Sequence, residues 1–181
     1  METLQRIPMS WEDYLRTPEH PKHEWVDGVC VVSPIATNPH QRVVMRLTHL
    51  IAGALGVDAL PGANVKLPRN RVRIPDVVVP RVWEDGLFIE TAPLLVVEVL
   101  SPSTRAEDTM RKSREYAEGG VDQYWVVDPE LRRIDVFVNQ DGEWEPALHL
   151  DDASPTGAVA VEPHGEVPVD LCAILDRRAL D

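Results

Sequence analysis

Cysteine is scarce in this chain of 181 residues, which has only Cys30 and Cys172. Two cysteines so far apart build no disulfide framework and match no zinc-ligand spacing, so both read as reduced, buried thiols. Basic residues are in deficit, with 18 Lys and Arg against 30 Asp and Glu and a formal net charge of -12. That balance argues against a basic nucleic-acid coat protein or a binder of anionic membranes, although it leaves room for local basic patches. No apolar run approaches the roughly 18 residues of a membrane span. The first residues carry Glu2, Arg6, Glu12 and Asp13 and lack the apolar stretch of a secretory signal. The expectation is a soluble cytoplasmic protein without membrane association. Internal repeats, Gly-rich phosphate loops and the Gly-x-Ser-x-Gly elbow of serine hydrolases are also missing.

What is present is an ordinary globular composition, 44% hydrophobic and 27% charged, at a length that suits one domain. The acidity is uneven: residues 141–181 hold ten acids and two bases, so the first 140 residues are close to balance. We therefore expect one domain over 1–181, with a core over about 9–150 and an acidic extension over 151–181.

Local signals give the order of elements. Ser10 caps a short helix that Pro18 stops, and Asp27-Gly28 turns a hairpin between two strands. Asn38 caps a helix of about 15 residues with Val43, Leu47, Leu50 and Ala54 on one face, ending at Gly56. His40 opens this helix, where capping or packing outweighs a metal role. Val72–Pro80 and Pro93–Leu100 read as central strands, because their Val and Leu runs are apolar on both faces. Thr104 and Glu107 form a capping box for a helix running to Gly119-Gly120. A meander follows, with turns at Asp128-Pro129 and Asp141-Gly142, and Val167–Leu175 closes the chain as a peripheral strand or short helix. The fold class expected is α/β, in the α+β sense of a central mixed sheet flanked by helices, with an N-terminal hairpin and a C-terminal meander.

Two acids stand where acids are costly. Asp76 opens the Val77-Val78-Val79 run, and Glu98 interrupts Leu94–Leu100. A carboxylate in a central strand loses its hydration unless a cation compensates. Paired oxygen ligands of this kind favour Mg²⁺ or Mn²⁺. A salt bridge is the alternative, and Arg71 and Arg73 stand close enough in sequence to Asp76 to provide it.

Pro75-Asp76 followed by Glu98 in the next strand resembles the PD-(D/E)xK nuclease superfamily. More narrowly, the chain resembles the Uma-two family of restriction-endonuclease-like proteins. The stretches that carry this are Met9–Leu15, His23–Gly28, Arg73–Val77, Val97–Thr104 and Gly120–Pro129, in that order. The resemblance implies a restriction-endonuclease-like core and a metal-dependent endonuclease acting on DNA with Mg²⁺ or Mn²⁺. It implies Asp76, Glu98, Glu24 and the carbonyl of Val99 at the metal. The usual lysine two residues after the glutamate is replaced by Leu100, and the resemblance moves that role to Lys112 in the following helix. Asp108, Lys112, Glu115 and Tyr116 share one face at helical spacing, which also suits a plain surface pair.

Two basic clusters flank the proposed site in sequence: Lys66, Arg69, Arg71 and Arg73, then Arg105, Arg111, Lys112 and Arg114. They could grip phosphates or be ordinary solvated charges. Symmetric cutting of duplex DNA would suit a homodimer. The alternative readings are a non-catalytic binding member of the same fold, for which Leu100 speaks, and an oligomeric scaffold, for which the five tryptophans speak.

Overall fold

The computed structural model describes residues 4–18, 21–101 and 107–176, the last segment with backbone only at 107–109. The first elements are β1 (Gln5–Pro8), α1 (Trp11–Tyr14), β2 (His23–Val26) and β3 (Val29–Val32). The hydroxyl of Ser10 accepts the Asp13 N–H at 3.1 Å and starts α1. Asp27 and Gly28 both have positive φ, 52° and 84°, as a two-residue turn between twisted antiparallel strands requires.

Helix α2 (Asn38–Leu55) is longer than its apolar spacing suggests. Thr37, not Asn38, is its cap: the Thr37 hydroxyl accepts the His40 N–H, and Pro39 fills a first-turn position that needs no donor. Gly56 ends it in the left-handed conformation at φ 66°. Then follow β4 (Leu60–Pro61), β5 (Val65–Leu67), β6 (Arg71–Arg73), β7 (Val77–Val79) and β8 (Leu95–Val99). A π-helical turn, Glu107–Lys112, leads into α3 (Ser113–Glu118). The chain continues through β9 (Gln123–Asp128), β10 (Arg133–Gln140), β11 (Glu143–Leu150), β12 (Thr156–Val161), β13 (Gly165–Asp170) and α4 (Leu171–Leu175). The capping box at Thr104 lies outside the described residues.

The mixed α+β architecture expected from the sequence is present. A six-stranded sheet runs β11-β10-β9-β8-β7-β4, parallel only between β8 and β9. A second, antiparallel sheet runs β1-β3-β2-β6-β5. The stretch expected as a single strand, Val72–Pro80, is two strands in two different sheets. Pro75 has no N–H to extend a ladder, so the chain crosses from β6 to β7 at Ile74-Pro75-Asp76. This crossing is the seam between the sheets.

The larger sheet is covered on both faces, as its continuous apolar runs imply. On one face, Val77, Val79, Leu95, Val97 and Val99 pack on Val43, Leu47, Ile51 and Leu55 of α2. On the other, Val78, Val96 and Leu100 pack with Tyr116, Val121 and Tyr124 and with Val65 and Leu67 of β5. The segment read as an acidic extension is not peripheral. Val159, Val161, Val167, Val169, Leu171 and Ile174 belong to the same core as α2. Its acids were misleading because strands alternate: Glu166 and Asp170 face solvent while Val167 and Val169 face inward. Arg46 and Arg42 of α2 bond the carbonyls of Ile174 and Leu175 at the end of α4.

Of the tryptophans, Trp125 is fully buried, and Trp11 packs edge-on against Trp25 with Phe88 beside them. Trp83 is exposed. Among the described residues no helix is long and apolar enough to cross a membrane.

Candidate active site

Asp76 and Glu98 meet at the seam. The register Val77 opposite Val97 brings Asp76 opposite Glu98, and directly opposed residues of an antiparallel pair share a face. The Asp76 N–H donates to the Val97 carbonyl at 3.0 Å, and the Val99 N–H donates to Asp76 Oδ2 at 2.8 Å. In an extended strand the N–H and C=O of one residue point to the same side, so the Val99 carbonyl also lies on the Asp76 side of β8.

Glu24, fully buried on β2, enters from the second sheet. Its Oε1 accepts the Ile74 N–H at 2.9 Å, which satisfies the backbone donor exposed by the crossing. Its Oε2 accepts from Arg73 at 3.0 Å. Lys112 comes from the end of the π-helical turn, a widened helix geometry that is frequent at functional sites. Its ammonium is 3.0 Å from Glu24 Oε1 and 3.0 Å from Glu98 Oε1. Tyr116 donates its hydroxyl to the same Glu98 oxygen at 2.7 Å. All four residues predicted for the site from the sequence, Asp76, Glu98, Glu24 and Lys112, are therefore brought together around Glu98 and the seam. Leu100 is packed in the core beyond Glu98.

Lys22 escaped the sequence reading, and the contacts of His40 and Glu115 were not foreseen. Lys22, just before β2, places its ammonium 3.5 Å from Asp76 Oδ1, and the His40 ring Nε2 lies 3.4 Å from the same oxygen. Glu115 of α3 accepts from Arg73 at 2.6 Å. These pairs join residues far apart in the chain and have no local spacing to betray them. Tyr116 and Glu115 were signalled by sharing a helix face with Lys112, and His40 by opening the helix, where a metal role was weighed and ranked below capping or packing.

The cations set the protonation of the acids. Burial opposes ionisation of Asp76, but Lys22, the His40 contact and the Val99 N–H outweigh it and hold its carboxyl well below the usual range. Burial likewise opposes ionisation of Glu24, yet Lys112 and Arg73 bring it down to about 2. Burial and the neighbouring Glu98 carboxylate push the Tyr116 hydroxyl up, so it stays a donor.

The basic cluster changes meaning in three dimensions. Arg73, expected to contact nucleic acid, is wholly buried between Glu24 and Glu115 and presents no surface to solvent. β6 is covered on both faces here: Val72 packs with Tyr14 and Cys30, and Arg73 meets Glu24 and Glu115 on the other side. Arg71 forks onto Asp27 at 2.9 and 2.7 Å. Lys66 pairs with Glu90 at 3.2 Å. Arg69 and Arg111 are exposed, and Arg105 lies outside the described residues.

No three His, Cys, Asp or Glu side chains among the described residues converge into a self-sufficient metal cluster. The oxygen donors present still fit a hard cation. Mg²⁺ is commonly held by one or two carboxylates and keeps water or phosphate oxygens for the rest, and Asp76 with Glu98 is such a pair. Glu24 is less suited, since both its oxygens already serve N–H donors and cations. Four carboxylates, Asp76, Glu24, Glu98 and Glu115, meet four cations in this network, Lys22, Lys112, Arg73 and Arg71, the last 3.6 Å from Glu115.

Residues 11–165 match the profile of the Uma2 family, described as "Putative restriction endonuclease". The uncharacterized protein slr1290 of Synechocystis sp. is 35% identical over 148 residues, 75% of this chain and 77% of that protein. Among solved structures, the fold is similar to "a putative nuclease belonging to DUF820" from Anabaena variabilis, with a TM-score of 0.74. That likeness spans 93% of this chain and 98% of the other at 18% identity, and it concerns the fold.

Proposed function

The chain belongs to the Uma2 family, the Uma-two family of the sequence resemblance, and from that premise we propose that it is a metal-dependent endonuclease hydrolysing phosphodiester bonds of DNA. The observation that carries the reading is the cross-strand pair Asp76 and Glu98 at the seam, with the Val99 backbone turned toward Asp76. Asp76, Glu98 and the Val99 carbonyl would hold Mg²⁺ or Mn²⁺. When bound, such an ion lowers the pKa of a water and neutralises charge growing on the phosphate oxygens.

The remaining residues keep that pair in place. The Val99 N–H fixes Oδ2 of Asp76, and Tyr116 and Lys112 fix Oε1 of Glu98. Glu24 acts here by anchoring Lys112 and Arg73. Among the described residues of the two basic clusters, Arg69, Arg111 and Arg114 are exposed and would meet a DNA backbone. Cutting both strands of a duplex calls for two such sites, which a symmetric pair of chains supplies.

Plasmid nicking by wild type and Asp76→Ala, with Mg²⁺, Mn²⁺ or EDTA, tests the reading. Wild type is expected to nick with metal alone, and Asp76→Ala to lose at least about 100-fold. Equal nicking by the variant refutes the assignment.

A further inference from the structure

The site holds two lysines in contrasting positions. Lys112 is 4% exposed in its side chain and sits 3.0 Å from two buried carboxylates. An ammonium has three donors, and two of them are committed to Glu24 and Glu98. Withdrawing it toward a ligand would take a cation from two buried acids at once, leaving Glu24 with Arg73 and weakening the hold on Glu98, a costly arrangement.

Lys22 is 25% exposed and touches Asp76 at 3.5 Å, a looser contact than either made by Lys112. Asp76 itself is 14% exposed and His40 17%. Glu24, Glu98, Lys112 and Tyr116 are buried behind them. Among the described residues of the site, Lys22, His40 and Asp76 are therefore the ones an anion arriving from solvent meets first. Lys22 is anchored at its backbone, where its carbonyl accepts the Ser33 N–H at 3.0 Å beside β3, while its flexible stem leaves the ammonium free to turn.

We propose that Lys22 is the lysine that contacts the scissile phosphate, and that Lys112 is the internal counter-charge that positions Glu98 and Glu24. This rests on the nuclease reading. It assigns a catalytic residue from outside the Glu98 strand and outside the helix that follows it. Lys22 supplies positive charge to the phosphate oxygens as they gain negative charge, and shares Asp76 in the free protein.

Lys22→Met and Lys112→Met separate the two roles, with wild type alongside. Three quantities are measured on each full-length chain: melting temperature, Mn²⁺ binding by calorimetry, and single-turnover cleavage of duplex DNA at saturating protein. Lys22→Met is expected to melt close to wild type and to bind Mn²⁺ at least as tightly, because a cation competing for Asp76 has gone. Its cleavage rate is expected to fall at least about 100-fold. Lys112→Met is expected to melt well below wild type. Cleavage by Lys22→Met within about threefold of wild type overturns the proposal. So does loss of Mn²⁺ binding by Lys22→Met, which would make Lys22 a support for Asp76 rather than a phosphate contact. A wild type that binds Mn²⁺ yet cleaves no DNA refutes the nuclease reading, and this role with it.

Discussion

Arg73 shows how much one side chain can hold together. It is fully buried, with its guanidinium joined to Glu24 at 3.0 Å and to Glu115 at 2.6 Å. A buried ion pair is only weakly stabilising as a whole, because desolvation offsets the attraction, but removing one partner strands the other. Arg73→Met should therefore cost about 3–5 kcal/mol, leaving two buried carboxylates short of a cation. Urea unfolding followed by tryptophan fluorescence, to which the core residue Trp125 contributes, gives the value. A loss below about 1 kcal/mol would place Arg73 among ordinary surface charges. In sequence it stood in a run with Lys66, Arg69 and Arg71 and read as part of a phosphate track. The acids were easier: Asp76 and Glu98 declared themselves by interrupting apolar strands. An arginine in a basic cluster gives no such contrast with its surroundings.

At the scale of elements, the site depends on how α3 approaches β5. Gly119 follows α3, and a Cβ there would meet the Leu67 side chain at 2.8 Å and the Glu115 carbonyl at 3.0 Å. Its φ is -79°, so the constraint is space rather than backbone conformation. Gly119→Ala should push α3 outward and cost about 1–3 kcal/mol, as overpacking does. Because α3 and its entry turn carry Lys112, Glu115 and Tyr116, the cleavage that the nuclease reading expects should fall along with the urea midpoint. A stable but inactive Gly119→Ala variant would locate the effect in α3 placement alone. The same scale shows what patterns can convey. The hairpin turns at Asp27-Gly28 and Asp141-Gly142 were legible because their turn chemistry is local. The split of Val72–Pro80 between two sheets was not, since Pro75 reads equally well as the end of an apolar run.

Across the whole molecule, the buried charges tie stability to pH. Glu24 is held at about 2 in the folded chain against an ordinary 4.5, and Asp76 is also held low. Above 4.5 the Glu24 carboxyl is ionised in both folded and unfolded chains, and its stabilising effect is complete. As pH falls below 4.5 the unfolded chain takes up a proton that the native chain refuses, so stability drops until about pH 2. Asp76 adds to the loss with the same sign. Urea midpoints should be level from pH 7 to pH 5 and decline steeply from pH 4.5 toward pH 2; a level series down to pH 3 would contradict the geometry. The fold class was legible at this scale, because apolar runs, turns and caps each act locally and agree. The place of residues 156–175 was not. Their net acidity concealed an alternating strand whose inner half completes the core.

The seam also bears on how the chain is made. Glu24 and Arg73 are 49 residues apart, and Arg73 and Glu115 are 42 apart. A nascent chain that has emerged only through β8 has both Asp76 and Glu98 but neither Lys112, Glu115 nor Tyr116. Asp76 and Glu24 already have Lys22 and Arg73 in that chain, but Glu98 still lacks the Lys112 ammonium and the Tyr116 hydroxyl that hold it. On the nuclease reading, cutting ability is then withheld during synthesis and arrives once α3 has docked, so an unfinished chain poses no hazard to the nucleic acid around the ribosome.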